Sequence, residues 1–252
     1  MSLLPRRRFL RRFGLGLAVS ALPGRRWRET ILWEAAAATP DAPAVVTLSL
    51  ADFPALGSDL GSVRLTVNPV GPDHFPRGNI YPFLVNRVSE GVFRAMSAEC
   101  RHAGCVVESY DELSEGIRCP CHGSVYDITG QRIVGPAPDG SSLGPLPLIY
   151  DGIGSLQVTI PGLAFRIAPS RVDLGGGGGR LRLQFPTLPW VTYEVHFRER
   201  VSDPGLPVPF SSSPEGPPDQ WTVTGDELPA TVYVAPPGGS GFFEISMLLL
   251  EE

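Results

Sequence analysis

The sequence predicts an all-β protein, and its composition and its hydrophobic pattern both support this. Its 29 glycines and 27 prolines divide the chain into short segments, as expected for a fold with many turns. Between the turns lie short runs rich in β-branched and apolar residues, whereas helical periodicity is weak beyond the first forty positions. Runs of this kind predict strands at Val45–Leu50, Val63–Val67, Leu181–Phe185 and Thr231–Val234.

The amino-terminal residues resemble an export signal. Adjacent arginines within Arg6–Arg8 precede Phe9 and Leu10, and an apolar stretch over residues 13–23 follows. This order resembles a twin-arginine signal, which predicts a location in the periplasm or at the periplasmic face of the cytoplasmic membrane. As a helix the apolar stretch spans about 16 Å, well short of the roughly 30 Å hydrocarbon core. Whether residues 1–38 are cleaved or kept as an N-terminal membrane anchor therefore stays open.

Charge is distributed unevenly along the chain. All 21 basic residues are arginine and eight of them fall in the first 28 positions, so that from Thr39 onward 13 arginines face 24 acidic residues. An acidic body without a basic stripe argues against nucleic acid as a partner. The low-complexity run that ends with residues 39–44 is predicted to be a tether leading into the first folded domain.

All four cysteines and two of the four histidines fall between Cys100 and His122. They form two mixed pairs, Cys100-x-His102 and Cys119-x-x-His122, which can bind one compact metal centre from two neighbouring loops. Thiolate and imidazole ligands together favour zinc or an iron–sulfur cluster. Structural zinc sites usually take Cys-Cys and His-His pairs, whereas mixed pairs suit a cluster with two cysteines on one iron and two histidines on the other.

The whole motif, Cys-x-His-x-Gly-Cys followed by Cys-Pro-Cys-His-Gly-Ser, resembles that of the high-potential Rieske [2Fe-2S] proteins of quinol-oxidising cytochrome bc complexes. The resemblance implies one [2Fe-2S] cluster per chain. In that arrangement Cys100 and Cys119 bind one iron, and His102 and His122 bind the other.

The same resemblance implies roles for residues around the ligands. Cys105 and Cys121 would form a disulfide, which is consistent with a non-cytosolic compartment. Ser124 and Tyr126 occupy the places where high-potential members have hydroxyl groups that hydrogen bond to a bridging sulfide and to a cysteine sulfur, and so raise the reduction potential. Residues 135–138, Gly-Pro-Ala-Pro, correspond to a proline-rich loop that covers the cluster.

The resemblance covers roughly residues 42–160 and implies a Rieske antiparallel β-sandwich domain with a cluster-binding subdomain at 45–161. Residues 162–252 are predicted to form a second β-sandwich of immunoglobulin or fibronectin type III character. We expect His196, which alternates with two charged residues, on the solvent-facing side of its strand and without a metal role. The predicted strands of this module are Phe165–Ile167, Leu181–Phe185, Val191–Arg198, Trp221–Thr224, Thr231–Val234 and Phe242–Leu250.

The resemblance further implies one-electron transfer, most like that of a quinol–cytochrome c reductase subunit. A quinol hydroxyl would contact an exposed imidazole, His122 in preference to His102, so that electron and proton uptake are coupled. The expected partners are cytochrome b and a c-type cytochrome, or another redox protein. Two alternatives stay open: the small Rieske subunit of a periplasmic oxidase such as arsenite oxidase, and a structural zinc site in an interaction protein.

Overall fold

A computed structural model of the protein describes residues 19–20, 43–77, 82–163, 165–175, 178–235, 237 and 241–252. The predicted all-β class is confirmed, since helical segments within these ranges are limited to two 3-10 turns at Leu50–Asp52 and Pro54–Gly57. None of the helices in the described ranges has the length and hydropathy needed to cross a membrane. Apart from the short strand Val19–Ser20, the predicted signal and the tether up to residue 42 lie outside the described residues.

Each strand pairing with a described register is antiparallel. The strands are β1 Val19–Ser20, β2 Ala44–Ser49, β3 Ser62–Thr66, β4 Phe83–Ser89, β5 Val92–Ser97, β6 Ile117–Arg118, β7 Val125–Tyr126, β8 Arg132–Val134, β9 Pro145–Leu146, β10 Leu148–Tyr150, β11 Ser155–Ile160, β12 Ala168–Gly175, β13 Gly178–Phe185, β14 Thr192–Arg198, β15 Leu206–Pro207, β16 Thr222–Thr224, β17 Ala230–Val234, β18 Phe242–Met247 and β19 Leu250–Glu251.

The chain folds into two compact units, and the first contains the described segments Val46–Ile160 and Leu248–Glu252. Its framework is a five-stranded sheet in the order β19-β3-β4-β5-β9 and a three-stranded sheet in the order β10-β11-β2. Alternating burial explains why these segments are strands: in β11, Leu156 and Val158 are fully buried while the intervening Gln157 is exposed.

A smaller three-stranded sheet, β6-β7-β8, carries the second half of the cysteine motif. It packs on the framework through apolar side chains that include Met96 of β5 and Tyr126 of β7, both almost fully buried. The buried Asn86 of β4 adds a polar link, because its Nδ2 donates to the Ile128 carbonyl at 2.8 Å. Gly130 allows close packing here, since its φ is +85° and a Cβ would lie 2.7 Å from the Met96 Sδ.

The end of the chain differs from the predicted module boundaries. The segment predicted as one strand, Phe242–Leu250, divides into β18 and β19, and β19 belongs to the first unit. There Leu250 pairs with Thr66 and Glu251 with Leu65 of β3. The boundary expected at residue 162 therefore marks the start of an insertion, after which the chain returns to the first unit.

The Glu252 side chain reinforces this return. Its Oε1 accepts a hydrogen bond from the Val70 N–H at 2.9 Å, and its Oε2 lies 3.5 Å from the Arg64 Nε. Arg64 in turn donates from Nη1 to the Val107 carbonyl at 2.9 Å. Val107 is the second residue after Cys105, so the returning segment is linked to the chain that leaves the first half of the cysteine motif.

The second unit contains Pro161–Met247 and, from an earlier part of the chain, strand β1, which pairs with β18. It has two antiparallel sheets, one with the strand order β12-β13-β17 and one centred on β14 and β18. Phe185 of the first sheet lies 5.4 Å from Tyr193 of the second, measured between ring centroids. The predicted strand Phe165–Ile167 is wrong: these residues form a loop whose Phe165 ring packs on both aromatic side chains. An immunoglobulin or fibronectin type III topology stays a prediction.

The expectation of a solvent-facing His196 is also wrong, because its side chain is buried. The strand alternation does place it on the face opposite the apolar core of β14, but neighbouring charges make burial of that face tolerable. His196 Nε2 lies 3.0 Å from Glu194 Oε2, and the buried Glu244 opposite it forms an ion pair with Arg198. Compensating charges allow polar groups to leave water at moderate cost, a condition that residue alternation alone does not reveal.

Deleting residues 250–252 should loosen β3, because this strand loses hydrogen bonds along one edge. We expect amide hydrogen exchange in Ser62–Thr66 to become about five to ten times faster, as for the loss of about 1 kcal/mol of hydrogen bonding. Amides of β11, in the other sheet of the first unit, serve as the internal control. Unchanged exchange in β3 would show that β19 contributes no stability there.

Candidate metal centre

The first cluster loop, Cys100–Cys105, is closed by its own backbone. The Cys100 N–H donates to the Cys105 carbonyl at 2.8 Å, and the Gly104 N–H donates to the Cys100 carbonyl at 2.9 Å. Gly104 has a φ of +75°, which glycine adopts without steric cost. The turn leaves Cys100 buried and His102 exposed, so the two predicted ligands of this loop have opposite environments.

The second cluster loop, Cys119–Ser124, repeats this backbone pattern. The Cys119 N–H donates to the Ser124 carbonyl at 2.8 Å, and the Gly123 N–H donates to the Cys119 carbonyl at 3.1 Å. Gly123 also has a φ of +75°. Cys119 is buried and His122 is exposed. The two loops thus present one inward thiol and one outward imidazole each.

The predicted disulfide between Cys105 and Cys121 is confirmed, and it joins the two loops with a Cα–Cα distance of 6.5 Å. The sulfur atoms of Cys105, Cys119 and Cys121 lie within 4.8 Å of one another. These three do not form a thiolate site, because two of the sulfurs are covalently bonded to each other. The free thiols are therefore those of Cys100 and Cys119.

The remaining four predicted ligands fit a [2Fe-2S] cluster by their donor chemistry. Both free thiols are only 3% exposed, as suits thiolates that bind an inner iron. The imidazole rings of His102 and His122 are neighbours at the surface. Their centroids are 4.7 Å apart, and their planes are nearly perpendicular, with an interplanar angle of 87°. Their arrangement suits one outer iron with two imidazole ligands. Cys100, Cys119, His102 and His122 would hold the cluster.

Tyr126 supplies a hydrogen bond to the first thiol. Its hydroxyl lies 3.3 Å from the Cys100 Sγ and accepts the Arg101 N–H at 3.0 Å. Because the oxygen is already an acceptor, its hydrogen is available to the sulfur. Burial and the contact with Cys100 raise the pKa of Tyr126 well above its usual value, so the phenol stays protonated and remains a donor.

The two thiols differ in acidity. Burial raises the pKa of the Cys100 thiol, but hydrogen bonds from its surroundings, led by that of Tyr126 and including one from Ser124, outweigh burial and leave this pKa below its usual value. Burial raises the pKa of Cys119, and the neighbouring Cys100 raises it further. The donors around Cys100 thus stabilise negative charge on sulfur, as a metal-bound thiolate requires.

Ser124 links the second cluster loop to the proline-rich loop at 135–138. It is fully buried, and its Oγ accepts the Ala137 N–H at 3.1 Å. Gly135 approaches so closely that a Cβ there would lie 2.5 Å from the Ser124 Cα, and its φ is +107°. Only glycine fits this contact. The loop predicted to cover the centre therefore does lie against a residue of the cluster motif.

Comparison with known proteins agrees with this geometry: residues 70–150 match the family described as the Rieske [2Fe-2S] domain. These residues form a Rieske domain. The expected cofactor of this domain, a [2Fe-2S] cluster, is thereby confirmed. The matched residues all lie within the first unit.

Similar proteins include iron-sulfur subunits of cytochrome b6-f complexes. The chain is 40% identical over 79 residues to that of Chlorobaculum tepidum, covering 30% of this chain and 43% of the relative. It is 36% identical over 77 residues to that of Prochlorococcus marinus, covering 31% and 43%. Among solved structures, the plasma membrane Rieske protein PetC3 of Synechocystis PCC 6803 is 25% identical, with a TM-score of 0.31, covering 43% of this chain and 93% of that one. The chain thus spans less than half the length of these two b6-f subunits.

Two features of the site were missed in the sequence. Arg132 donates from Nε and Nη2 to the Gly135 carbonyl, at 3.2 and 2.6 Å. The carbonyl of His74 accepts the Val106 N–H at 2.7 Å, next to the disulfide. Neither contact could be predicted from the residues next to Arg132 or His74 in the sequence, because both acceptors are main-chain carbonyls brought into place by folding.

Replacing Tyr126 by phenylalanine should lower the reduction potential, because the hydroxyl stabilises the more electron-rich reduced state. We expect a decrease on the order of 50 mV, equivalent to about 1 kcal/mol for one electron. A spectroscopic redox titration measures it, with iron content confirming an assembled cluster. Tyr233→Phe, in the second unit, is the matched control and should titrate like the wild type. An unchanged potential in the Tyr126 variant would contradict the assigned hydrogen bond.

Replacing both Cys105 and Cys121 by alanine should weaken retention of the cluster. The disulfide closes a 16-residue separation, for which chain entropy corresponds to about 3 kcal/mol. Without it, the two cluster loops can separate, and iron content and visible absorbance should fall faster during incubation with a chelator. Wild-type protein whose disulfide has been reduced is the comparison. Equal retention in all three samples would show that backbone hydrogen bonds alone hold the loops together.

Proposed function

We propose that the protein is an exported subunit that transfers one electron at a time through a high-potential Rieske cluster, in a quinol–cytochrome c reductase of the bc type. The observation that carries the proposal is that the two loops expose an adjacent pair of imidazoles and bury their two free thiols. Such a site insulates one side of a redox centre and leaves the other open to a partner. The b6-f relatives support a complex of this general kind.

The cluster, when bound, supplies one-electron chemistry, and the surrounding residues control access and charge. Burial of Cys100 and Cys119 keeps bulk water from their thiolates, while the Tyr126 hydroxyl lies 3.3 Å from the Cys100 Sγ on that side. An exposed imidazole nitrogen of His122 or His102 would accept a quinol hydroxyl proton as the electron leaves the quinol. His122 is the preferred contact. This arrangement would couple the two transfers at one surface position.

The proposal includes export through the twin-arginine route and attachment near the membrane. The arginine pair and apolar stretch at the amino terminus support it, as does a disulfide, which is typical of oxidising compartments. The run at residues 39–44 would then be the tether between the amino-terminal segment and the Rieske domain. Cytochrome b and a c-type cytochrome are the proposed partners.

The function can be tested by purifying the tagged full-length chain from mildly solubilised membranes. We expect about two iron atoms per chain, a Rieske-type paramagnetic resonance signal after reduction, co-purifying b and c haems, and quinol-dependent reduction of cytochrome c. Cys119→Ser, which removes one thiolate, is the control and should lose both the signal and the activity.

Other outcomes would decide against the proposal. A silent sample that contains zinc would refute the redox function altogether. A normal cluster signal in a protein that washes off membranes in salt and co-purifies with a molybdenum oxidase subunit would assign the chain to a periplasmic oxidase. Mass spectrometry of the native amino terminus, showing cleavage near Ala38, would exclude the retained anchor.

A further inference from the structure

Arg132 lies three residues before Gly135, at the start of the proline-rich loop, and contacts this loop at several points. Its backbone N–H donates to the Ser141 carbonyl at 3.0 Å, where the chain returns from the loop. Its guanidinium reaches across to the Gly135 carbonyl through two hydrogen bonds, at 3.2 Å from Nε and 2.6 Å from Nη2. The Nη1 forms an ion pair with Asp139. Arg132 thus contacts the end of the loop through its backbone, and Gly135 and Asp139 through its side chain.

The hydrogen bonds to the Gly135 carbonyl matter because Gly135 packs directly against the second cluster loop. A Cβ at this position would lie 2.5 Å from the Ser124 Cα and 2.7 Å from the Gly123 carbonyl oxygen. Protein interiors transmit small displacements when backbones are in close contact. A shift of Gly135 therefore changes the position of the loop relative to Ser124.

The loop also determines what the Ser124 hydroxyl can do. The Ala137 N–H, two residues beyond Gly135, donates to the Ser124 Oγ at 3.1 Å, and both residues are buried. An oxygen that accepts from one side keeps its own hydrogen for another acceptor. Ser124 itself belongs to the second cluster loop, where its carbonyl accepts the N–H of the predicted ligand Cys119 at 2.8 Å. The order of contacts is Arg132, the Gly135 carbonyl, Ala137, Ser124 and the predicted ligand Cys119.

We propose that Arg132 is a positioning residue that sets the reduction potential of the cluster by orienting the Ser124 hydroxyl through the proline-rich loop. The inference rests on the proposed electron-transfer function for its importance, but it concerns only the electronic state of the bound cluster. The two bonds to Gly135 are the essential part. The Asp139 carboxylate is 92% exposed, and exposed ion pairs contribute little.

A direct charge effect is the competing explanation, since removing any nearby positive charge favours the oxidised cluster. The two explanations predict different coupling with Ser124. If Arg132 acts through the serine, its replacement has little further effect once the hydroxyl is gone. If it acts by charge alone, the two effects add. A double-mutant cycle therefore separates them.

The test is a redox titration of full-length protein carrying Arg132→Met, Ser124→Ala or both. We expect Arg132→Met to lower the ratio of reduced to oxidised cluster about fivefold at a fixed ambient potential, which is about 40 mV for one electron. In the Ser124→Ala background the same substitution should change the ratio less than twofold. Arg132→Lys, which keeps the charge but not the paired donors, should reproduce at least half of the shift, counted in millivolts, that Arg132→Met causes. Asp139→Asn should titrate like the wild type.

Three outcomes would overturn the inference. These are equal shifts in the two backgrounds, a wild-type potential for Arg132→Lys, or an Asp139→Asn effect as large as that of Arg132→Met. Iron content and the paramagnetic resonance spectrum confirm an assembled cluster in every variant. If Arg132→Met fails to assemble, the cycle is completed with Arg132→Lys. A normal cluster with additive effects refutes this positioning role and leaves the proposed function intact, whereas absence of a cluster in the wild type refutes the proposed function.

Discussion

The structure depends on keeping two thiolates out of water while two imidazoles of the same centre stay at the surface. Isolated buried charges are costly, so each sulfur needs donors and a rigid frame. The disulfide between Cys105 and Cys121 joins the loops that carry both kinds of ligand. The backbone turns that end at Gly104 and Gly123 then point cysteine inward and histidine outward. One covalent link and two matched turns thus define the site.

Hydrogen bonds around the cysteines connect the two cluster loops with each other and with the proline-rich loop. Tyr126 lies on a strand after the second loop but contacts Cys100 and Arg101 of the first, so it connects the loops independently of the disulfide. Ser124 connects the second loop to the proline-rich loop. Both hydroxyls hold neighbouring backbone in place, and that of Tyr126 also contacts the Cys100 sulfur. We therefore expect the reduction potential and the stability of the site to depend on shared contacts.

The sequence was most informative where chemistry and spacing are local. The all-β class follows from short runs between turns, and the disulfide follows from the resemblance that the cysteine motif carries. The role of Arg132 could not be predicted, because its acceptor is a main-chain carbonyl fixed only by the folded loop. Burial of His196 was missed for a related reason: strand alternation shows which residues share a face, but whether that face is covered and neutralised depends on distant segments such as β18.

The position of β19 shows that the first unit is formed from two separate parts of the chain. The segment Pro161–Met247 of the second unit is inserted between two parts of the first, since the chain leaves the first unit at Ile160 and returns at Leu248. After the return, the Glu252 carboxylate binds the Val70 N–H and pairs with Arg64, whose guanidinium holds the carbonyl of Val107. Residues beyond the insertion therefore help to support the backbone next to the disulfide. A cluster domain defined by its contiguous motif alone would lack part of its own sheet.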